Sequence, residues 1–168
     1  MKKTNKNEEL SQDQLDTLVN DYLLNQKTFK DIQGITDKEM ESIYATAYNF
    51  YTHGKLDRAK DIFSALCQMD PYQAKYWLGL GATRQMQEKY EKAVEAYGMA
   101  TLMDIKNPLP SFYAAHCLMK LNDHDRTISA LETVIEVCKS NKEHKGLQTQ
   151  AEQLLEGLQK KSPQKETK

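Results

Sequence analysis

Apolar residues recur along most of this chain at intervals of three and four positions, which is the spacing of one face of a helix. Ile43, Ala47 and Phe50 form one such series. A second series lies one residue further along and consists of Tyr44, Tyr48 and Tyr51. No long segment alternates apolar and polar residues as a half-buried strand does. The pattern therefore predicts an all-α chain.

Similar residue types return every 34 positions across the middle of the chain. Two of these series consist mainly of small residues, a third of large apolar residues, and a fourth of residues in turns. In this order the series are Ala47, Gly81 and Ala115; Ala59, Ala93 and Thr127; Phe63, Tyr97 and Leu131; and Gly54, Glu88 and Asn122. A 34-residue period with small residues where helices cross is typical of the tetratricopeptide repeat, a helix hairpin that stacks on its neighbours. We therefore predict a stack of three repeats, at 40–73, 74–107 and 108–141.

Further helical patterns flank the predicted repeats. Two capping boxes, Ser11 with Gln14 and Thr36 with Glu39, mark the starts of helices before and at the first repeat. A last amphipathic helix would cover the open end of the stack. The polar ends of the chain offer too little apolar surface to fold. The predicted boundaries are a disordered segment at 1–10, N-terminal helices at 11–36, a capping helix at 144–159, a disordered tail at 160–168, and one domain over 11–159.

Composition and charge fit one globular domain and exclude several functional classes. The chain has 168 residues, of which 39% are hydrophobic and 28% charged, and its formal net charge is −1. Without a basic excess it lacks the electrostatic footprint of nucleic-acid binding. Its apolar runs are far too short to span a membrane, and its polar N-terminus does not resemble a signal peptide. Three widely spaced cysteines are typical of reduced thiols, so we expect a cytoplasmic protein.

No catalytic motif or metal-ligand pattern is evident. The histidines lack ligand spacing, and the sequence contains no Gly-x-Ser-x-Gly, P-loop or His-Glu-x-x-His motif. The segment from Leu78 to Gly81 faintly resembles a nucleotide-binding loop, but the dinucleotide fingerprint needs a preceding strand and more widely spaced glycines. We interpret it as helix, where Gly79 costs about 1 kcal/mol relative to alanine. A closely packed helix or a bound peptide is expected to offset this cost. We predict no enzyme activity, no cofactor and no metal.

The second apolar face of the first helix in each hairpin predicts a ligand-binding groove. In a tetratricopeptide stack this face lies about 100° from the face that packs on the partner helix, and it lines the concave surface. The expected groove residues are Tyr44, Tyr48, Tyr51, Leu78, Ala82, Gln85, Met86, Phe112, His116 and Met119, with Leu109 and Tyr113 beside them. Tyrosine and methionine offer broad, adaptable contacts that suit an extended apolar peptide. Alternatively these side chains pack against the N-terminal helices, and both arrangements can hold in part.

One class of tetratricopeptide proteins binds a C-terminal carboxylate through Lys, Asn and Arg on these same helices. Here the equivalent positions are occupied by Tyr44, Tyr48, Leu78 and Ala82. We therefore do not expect an acidic C-terminal peptide as the ligand.

Four blocks go beyond the general repeat pattern and resemble the class II chaperones of bacterial type III secretion, most closely their LcrH/SycD branch. The blocks run from Ile43 to Lys55, from Ala59 to Asp70, from Tyr76 to Gln85, and from Met103 to Leu118. The run from Leu66 to Asp70 and the Gly-Leu-Gly block at Gly79 are specific to this family rather than to the repeat in general. The similarity covers about 15–158, nearly all of the predicted domain.

This resemblance implies a function and a set of partners. Such chaperones keep two hydrophobic translocator proteins soluble in the bacterial cytoplasm before export. They receive an extended client segment of Pro-x-Leu-x-x-Pro character in the groove. Their N-terminal helix commonly forms a homodimer, which would map to Leu15, Leu18, Val19, Tyr22 and Leu23. Some members also assist transcription of secretion genes, which makes a transcription regulator a second candidate partner. The alternatives are a general tetratricopeptide scaffold and a secretion-gene regulator, neither of which would protect clients.

Overall fold

The structure, a computed structural model, describes residues 11–14, 17, 27–140 and 142–161. The predicted capping box at the start of this range is confirmed, because the Ser11 N–H donates to Gln14 Oε1 at 2.9 Å and the Gln14 N–H donates to Ser11 Oγ at 3.3 Å. The predicted dimerisation residues and both predicted disordered ends lie outside the described residues, apart from the first two residues of the tail.

Helices make up the described part of the chain, and no strand occurs there. They are α1 (Phe29–Ile32), α2 (Asp37–Thr52), α3 (Leu56–Met69), α4 (Ala74–Met86), α5 (Tyr90–Met103), α6 (Leu109–Lys120), α7 (His124–Lys139), a 3-10 turn (Lys142–His144) and α8 (Lys145–Lys161). From α2 onward each helix packs against the next, and α4 also contacts α2 and α6. Thus α2/α3, α4/α5 and α6/α7 are the three predicted hairpins, and α2, α4 and α6 form one layer of the stack.

The turns inside the hairpins share one backbone conformation. Gly54, Glu88 and Asn122, each 34 residues from the next, have φ values of 70°, 58° and 56°. The following N–H group reaches back to a carbonyl five residues earlier at every turn, for example Lys55 to Phe50 at 2.9 Å. This is the Schellman end of a helix, in which glycine is favoured because a Cβ is strained at positive φ. The period therefore locates the turn even where the residue is not glycine.

Small residues occupy the helix crossings, as the period predicts. Ala47, Ala59, Ala93 and Ala115 are all fully buried. Thr127 takes the equivalent place in the third hairpin, where its hydroxyl donates to the Asp123 carbonyl at 2.5 Å. The extra polar group is thus satisfied inside the helix, and the crossing tolerates threonine in place of alanine.

Two glycines of α4 face aromatic rings of the neighbouring helices. A Cβ added to Gly81 would lie 2.6 Å from ring carbons of Tyr97, and one added to Gly79 would overlap the ring of Phe63. Both rings are almost fully buried. Close packing against α3 and α5 therefore requires glycine here and offsets its low helix propensity.

The last helix closes the end of the stack. Ala151 of α8 is fully buried against α7, in a cluster with Leu131 and Val134. The helix runs to Lys161 rather than ending at 159, so the first two residues of the predicted tail are helical and that boundary was wrong. Lys160 and Glu156 form an ion pair at 2.6 Å four residues apart, which supports this extra half-turn.

Candidate functional site

A cavity of about 330 Å³ opens on the layer formed by α2, α4 and α6. It is lined by Tyr44, Tyr48, Tyr51, Phe63, Lys75, Leu78, Gly79, Ala82, Gln85, Met86, Tyr97 and Tyr113. Most of this lining is aromatic or aliphatic. The cavity therefore offers apolar contact area, with a few polar groups that could orient a ligand.

The tyrosines of α2 form one wall of the cavity. Their spacing of four and three residues places them on one helix face, where the rings of Tyr44 and Tyr48 stack with centroids 6.5 Å apart. Tyr48 and Tyr51 follow at 6.2 Å. The side chain of Tyr44 also meets Phe63 edge to face at 5.8 Å, which fixes it against the core. Tyr48 remains 53% exposed, and it is the ring most available to a ligand.

The floor of the cavity is held by a hydrogen bond between α5 and α4. The Tyr97 hydroxyl donates to Gln85 Oε1 at 2.6 Å. Burial raises the pKa of Tyr97, so the hydroxyl keeps its proton and remains a donor. With its oxygen engaged, Gln85 has its amide NH₂ group left to donate to a carbonyl of a bound chain.

Lys75 lies at the edge of the cavity in the first turn of α4. It forms an ion pair with Glu41 of α2, and its Nζ lies 4.9 Å from the centre of the Tyr44 ring. The hydrogen bond with Glu41 raises the pKa of Lys75, so the ammonium group is charged at neutral pH. Among the described residues that line the cavity, Lys75 alone carries a charge.

The structure places seven of the ten predicted groove residues in this lining. They are Tyr44, Tyr48, Tyr51, Leu78, Ala82, Gln85 and Met86. The three predicted residues of α6 do not line it. Phe112 is buried in the cluster that includes Leu131 and Leu154, and Met119 is half-buried. His116 borders two other depressions, one beside Met86 and one beside Leu154.

The contribution of α6 comes from Tyr113, which the sequence placed beside the predicted groove residues. Its ring lies 5.7 Å from that of Tyr97. In this last hairpin, Phe112 faces the cluster formed with α7 and α8. The face of α6 that is equivalent to the cavity-lining face of α2 and α4 therefore packs in the core at Phe112.

Sequence reasoning missed Phe63, Lys75, Gly79 and Tyr97 as lining residues. Phe63 and Tyr97 belong to the predicted 34-residue series of large apolar residues, and their rings lie against Gly79 and Gly81 of α4. Lys75 had a usable signal, because it precedes Leu78 by three residues and continues the stripe of Leu78, Ala82 and Gln85. The predicted stripe begins at Leu78, so it does not include this first turn of α4.

Groups suited to other chemistry are sparse in the described ranges. No three His, Cys, Asp or Glu side chains there come close enough together to hold a metal ion. Burial raises the pKa of Cys67 to about 12 and of Cys117 to about 11, which makes both thiols poor nucleophiles at neutral pH. Among the helices described, none has the length and apolar character needed to cross a membrane.

Comparison with known proteins gives matches over most of the chain. The tetratricopeptide repeat family model matches residues 40–73 and 74–107. The low calcium response locus protein H of Yersinia pestis is 35% identical over 127 residues, which are 76% of each chain.

Two solved complexes have a similar fold. PcrH of Pseudomonas aeruginosa, in complex with the chaperone binding region of PopD, is 38% identical with a TM-score of 0.71, over 75% of this chain and 95% of that chain. SycD of Yersinia enterocolitica, a type III secretion translocator chaperone, is 35% identical in its complex with a peptide of the translocator YopD. That match has a TM-score of 0.71 over 76% of this chain and 97% of SycD, which has also been crystallised as an alternative dimer.

Proposed function

Because the chain belongs to the LcrH/SycD family of type III secretion translocator chaperones, we propose that it holds an extended apolar segment of a translocator in the cavity. It acts in the bacterial cytoplasm and keeps its clients soluble before export. The observation that carries the proposal is the tyrosine-lined cavity on the α2, α4 and α6 layer. Its relatives PcrH and SycD form complexes with translocator segments, which supports a client of the same kind here.

The cavity has the size and lining for a few apolar anchor side chains. Its volume of about 330 Å³ lies at the lower end of the range of roughly 300–1,000 Å³ found for ligand pockets. Exposed tyrosine rings lose little entropy when a peptide packs on them. The amide of Gln85 can bind a backbone carbonyl of the segment between its anchors.

The energetics favour capture that is weak and reversible. Burying three apolar anchors stabilises the complex by roughly 1.5–3 kcal/mol each. Ordering a disordered segment costs about 2–5 kcal/mol. The net free energy of binding is therefore favourable by at most about 7 kcal/mol. This corresponds to micromolar affinity at best for a short segment. A full client binds more tightly through further contacts, and release for export requires no nucleotide.

Co-expression with a translocator from the same secretion system tests the proposal. We expect the chain to bring the translocator into the soluble fraction and to elute with it in size-exclusion chromatography. A Tyr48→Glu variant should leave the translocator insoluble. A general scaffold would instead bind folded partners and would not change translocator solubility, which would contradict the chaperone role.

A homodimer forms the second part of the proposal. Its predicted residues are Leu15, Leu18, Val19, Tyr22 and Leu23, and the crystallised dimer of SycD supports self-association in this family. Sedimentation velocity should give a dimer for the full chain and a monomer for Leu18→Glu. An unchanged dimer in that variant would place the interface elsewhere. A transcription regulator remains a prediction from the resemblance alone and is not part of the proposal.

A further inference from the structure

The charge of the cavity is unbalanced. Of the described residues that line it, one is a cation and none is an anion. The cation is Lys75, and its only carboxylate partner among the described residues is Glu41, which does not line the cavity. An entirely apolar segment would therefore leave the Lys75 charge unmatched on the client side.

Lys75 is held in place by aromatic rings as well as by its ion pair. Its Nζ lies 4.9 Å from the ring centre of Tyr44 and 5.6 Å from that of Tyr76. These cation–π contacts keep the ammonium at the cavity edge without Glu41. The ion pair is open to solvent, since the side chains of Lys75 and Glu41 are 40% and 58% exposed. Exposed pairs are weak, so another carboxylate can replace Glu41 at little cost.

The start of α4 adds to the positive potential at this edge. Gln73 makes no side-chain capping bond, and the first turn contains no acidic residue. In contrast, α2 begins with the capping box of Thr36 and carries Asp37 and Glu39 in its first turn. The positive end of the α4 dipole is therefore not neutralised by its own sequence. The end of the helix therefore adds to the positive charge that Lys75 carries in the first turn of α4.

We infer that Lys75 selects client segments that carry one carboxylate side chain beside their apolar anchors. The client carboxylate replaces Glu41 on the Lys75 ammonium, while Tyr44 and Tyr76 hold the ammonium in position. This inference rests on the proposed function and deepens it. The apolar lining determines that a segment binds, and Lys75 determines which of several similar segments is preferred.

Charge-substituted peptides test the inference. Fluorescence anisotropy measures binding of labelled Pro-x-Leu-x-x-Pro peptides in which Glu, Gln or Lys stands at each x in turn. At one of these positions we expect the Glu peptide to bind the wild-type chain about two- to fivefold more tightly than the Gln peptide, as an exposed ion pair allows. High salt should reduce this ratio.

Three variants and a control test whether Lys75 causes the preference for Glu. Lys75→Gln should bind the Glu and Gln peptides equally, and Lys75→Glu should prefer the Lys peptide. Glu41→Gln removes the internal competitor and should increase the preference for Glu. Lys92→Gln, an exposed lysine of α5 outside the cavity, should leave the ratio unchanged.

The inference and the proposed function fail in different ways. A preference for Glu that persists in Lys75→Gln would overturn the inference. So would equal binding of all peptides to the wild-type chain. In both cases the peptides bind and the chaperone proposal stands. Absence of binding by every peptide would overturn the proposed function and the inference with it.

Discussion

Gly81 packs directly against the ring of Tyr97, and a Cβ at this position would lie 2.6 Å from two ring carbons. The ring cannot easily move, because Tyr97 is only 1% exposed and its hydroxyl is bound to Gln85. A single contact thus joins the crossing of α4 and α5 to the floor of the cavity. The glycine preserves the position of a side chain that the ligand would meet.

Gly81→Ala should destabilise the chain despite the higher helix propensity of alanine. Overpacking a buried contact costs about 1–3 kcal/mol, and alanine recovers about 1 kcal/mol of propensity. We expect a net loss of up to about 2 kcal/mol in urea unfolding. Gly98→Ala is the matched control, because no atom lies within 4 Å of a Cβ at Gly98 in α5. Gly98→Ala should be neutral or stabilising. Equal effects of Gly81→Ala and Gly98→Ala on stability would contradict the close contact between Gly81 and Tyr97.

Tyr48→Glu should abolish peptide capture without unfolding the chain. Tyr48 is 53% exposed, so a carboxylate there remains hydrated in the free protein but faces apolar side chains once a segment is bound. We expect at least tenfold weaker peptide binding, with far-UV circular dichroism and Tm near those of the wild type. Tyr72→Glu is the control, since Tyr72 is 56% exposed and lies outside the cavity. Normal peptide binding by Tyr48→Glu would show that Tyr48 does not contact the bound peptide.

Glu88→Gly should stabilise the turn between α4 and α5. Glu88 has a φ of 58°, which costs a residue with a side chain about 1–2 kcal/mol. Glycine avoids this strain but loses roughly 0.5–1 kcal/mol through the entropy of the unfolded chain. A net gain of up to about 1.5 kcal/mol is expected in chemical unfolding. Asn122→Gly should gain less because asparagine tolerates this conformation, and Gly54→Ala should lose stability. A loss of stability in Glu88→Gly would contradict the backbone strain argued for Glu88.

His116 should make stability depend on pH near neutrality. Burial lowers the pKa of His116 below its ordinary value of 6.5, so the unfolded chain binds a proton at a higher pH than the folded chain does. Stability from this group is therefore complete above about pH 7 and falls as the pH drops from 6.5 toward the lowered pKa. Urea unfolding of His116→Gln should change less between pH 7.5 and 5.5 than that of the wild type. His124→Gln, an exposed control, should follow the wild type. Identical pH profiles for the wild type, His116→Gln and His124→Gln would contradict a contribution of His116 to the pH dependence of stability.

The 34-residue period predicts the hairpins because helix crossings and turns impose fixed demands on residue size and backbone conformation. Ala59 and Ala93 are buried for that reason, and Glu88 occupies its turn although its side chain is unfavourable there. The same period also leads to most of the cavity, since Tyr44, Leu78 and their neighbours follow the face of α2 and α4.

The remainder of the site depends on packing that a repeat pattern cannot contain. Phe112 is turned to the core because α8 packs beside it, and α8 lies outside the repeats. Tyr97 packs against Gly81 and Phe63 packs against Gly79, and these contacts between neighbouring helices are not visible in a repeat pattern. Lys75 lines the cavity from the first turn of α4, one turn before Leu78, where the predicted groove stripe begins.

Photo-crosslinking tests the central claim most directly, because it locates a bound segment on the chain. A Pro-x-Leu-x-x-Pro peptide with benzoylphenylalanine at one position is irradiated with the protein, and mass spectrometry identifies the attachment sites. We predict attachment to Tyr48, Tyr113 or Met86, all of which line the cavity. Attachment confined to the depression that includes Leu102 of α5 and Ser129 of α7 would contradict the claim.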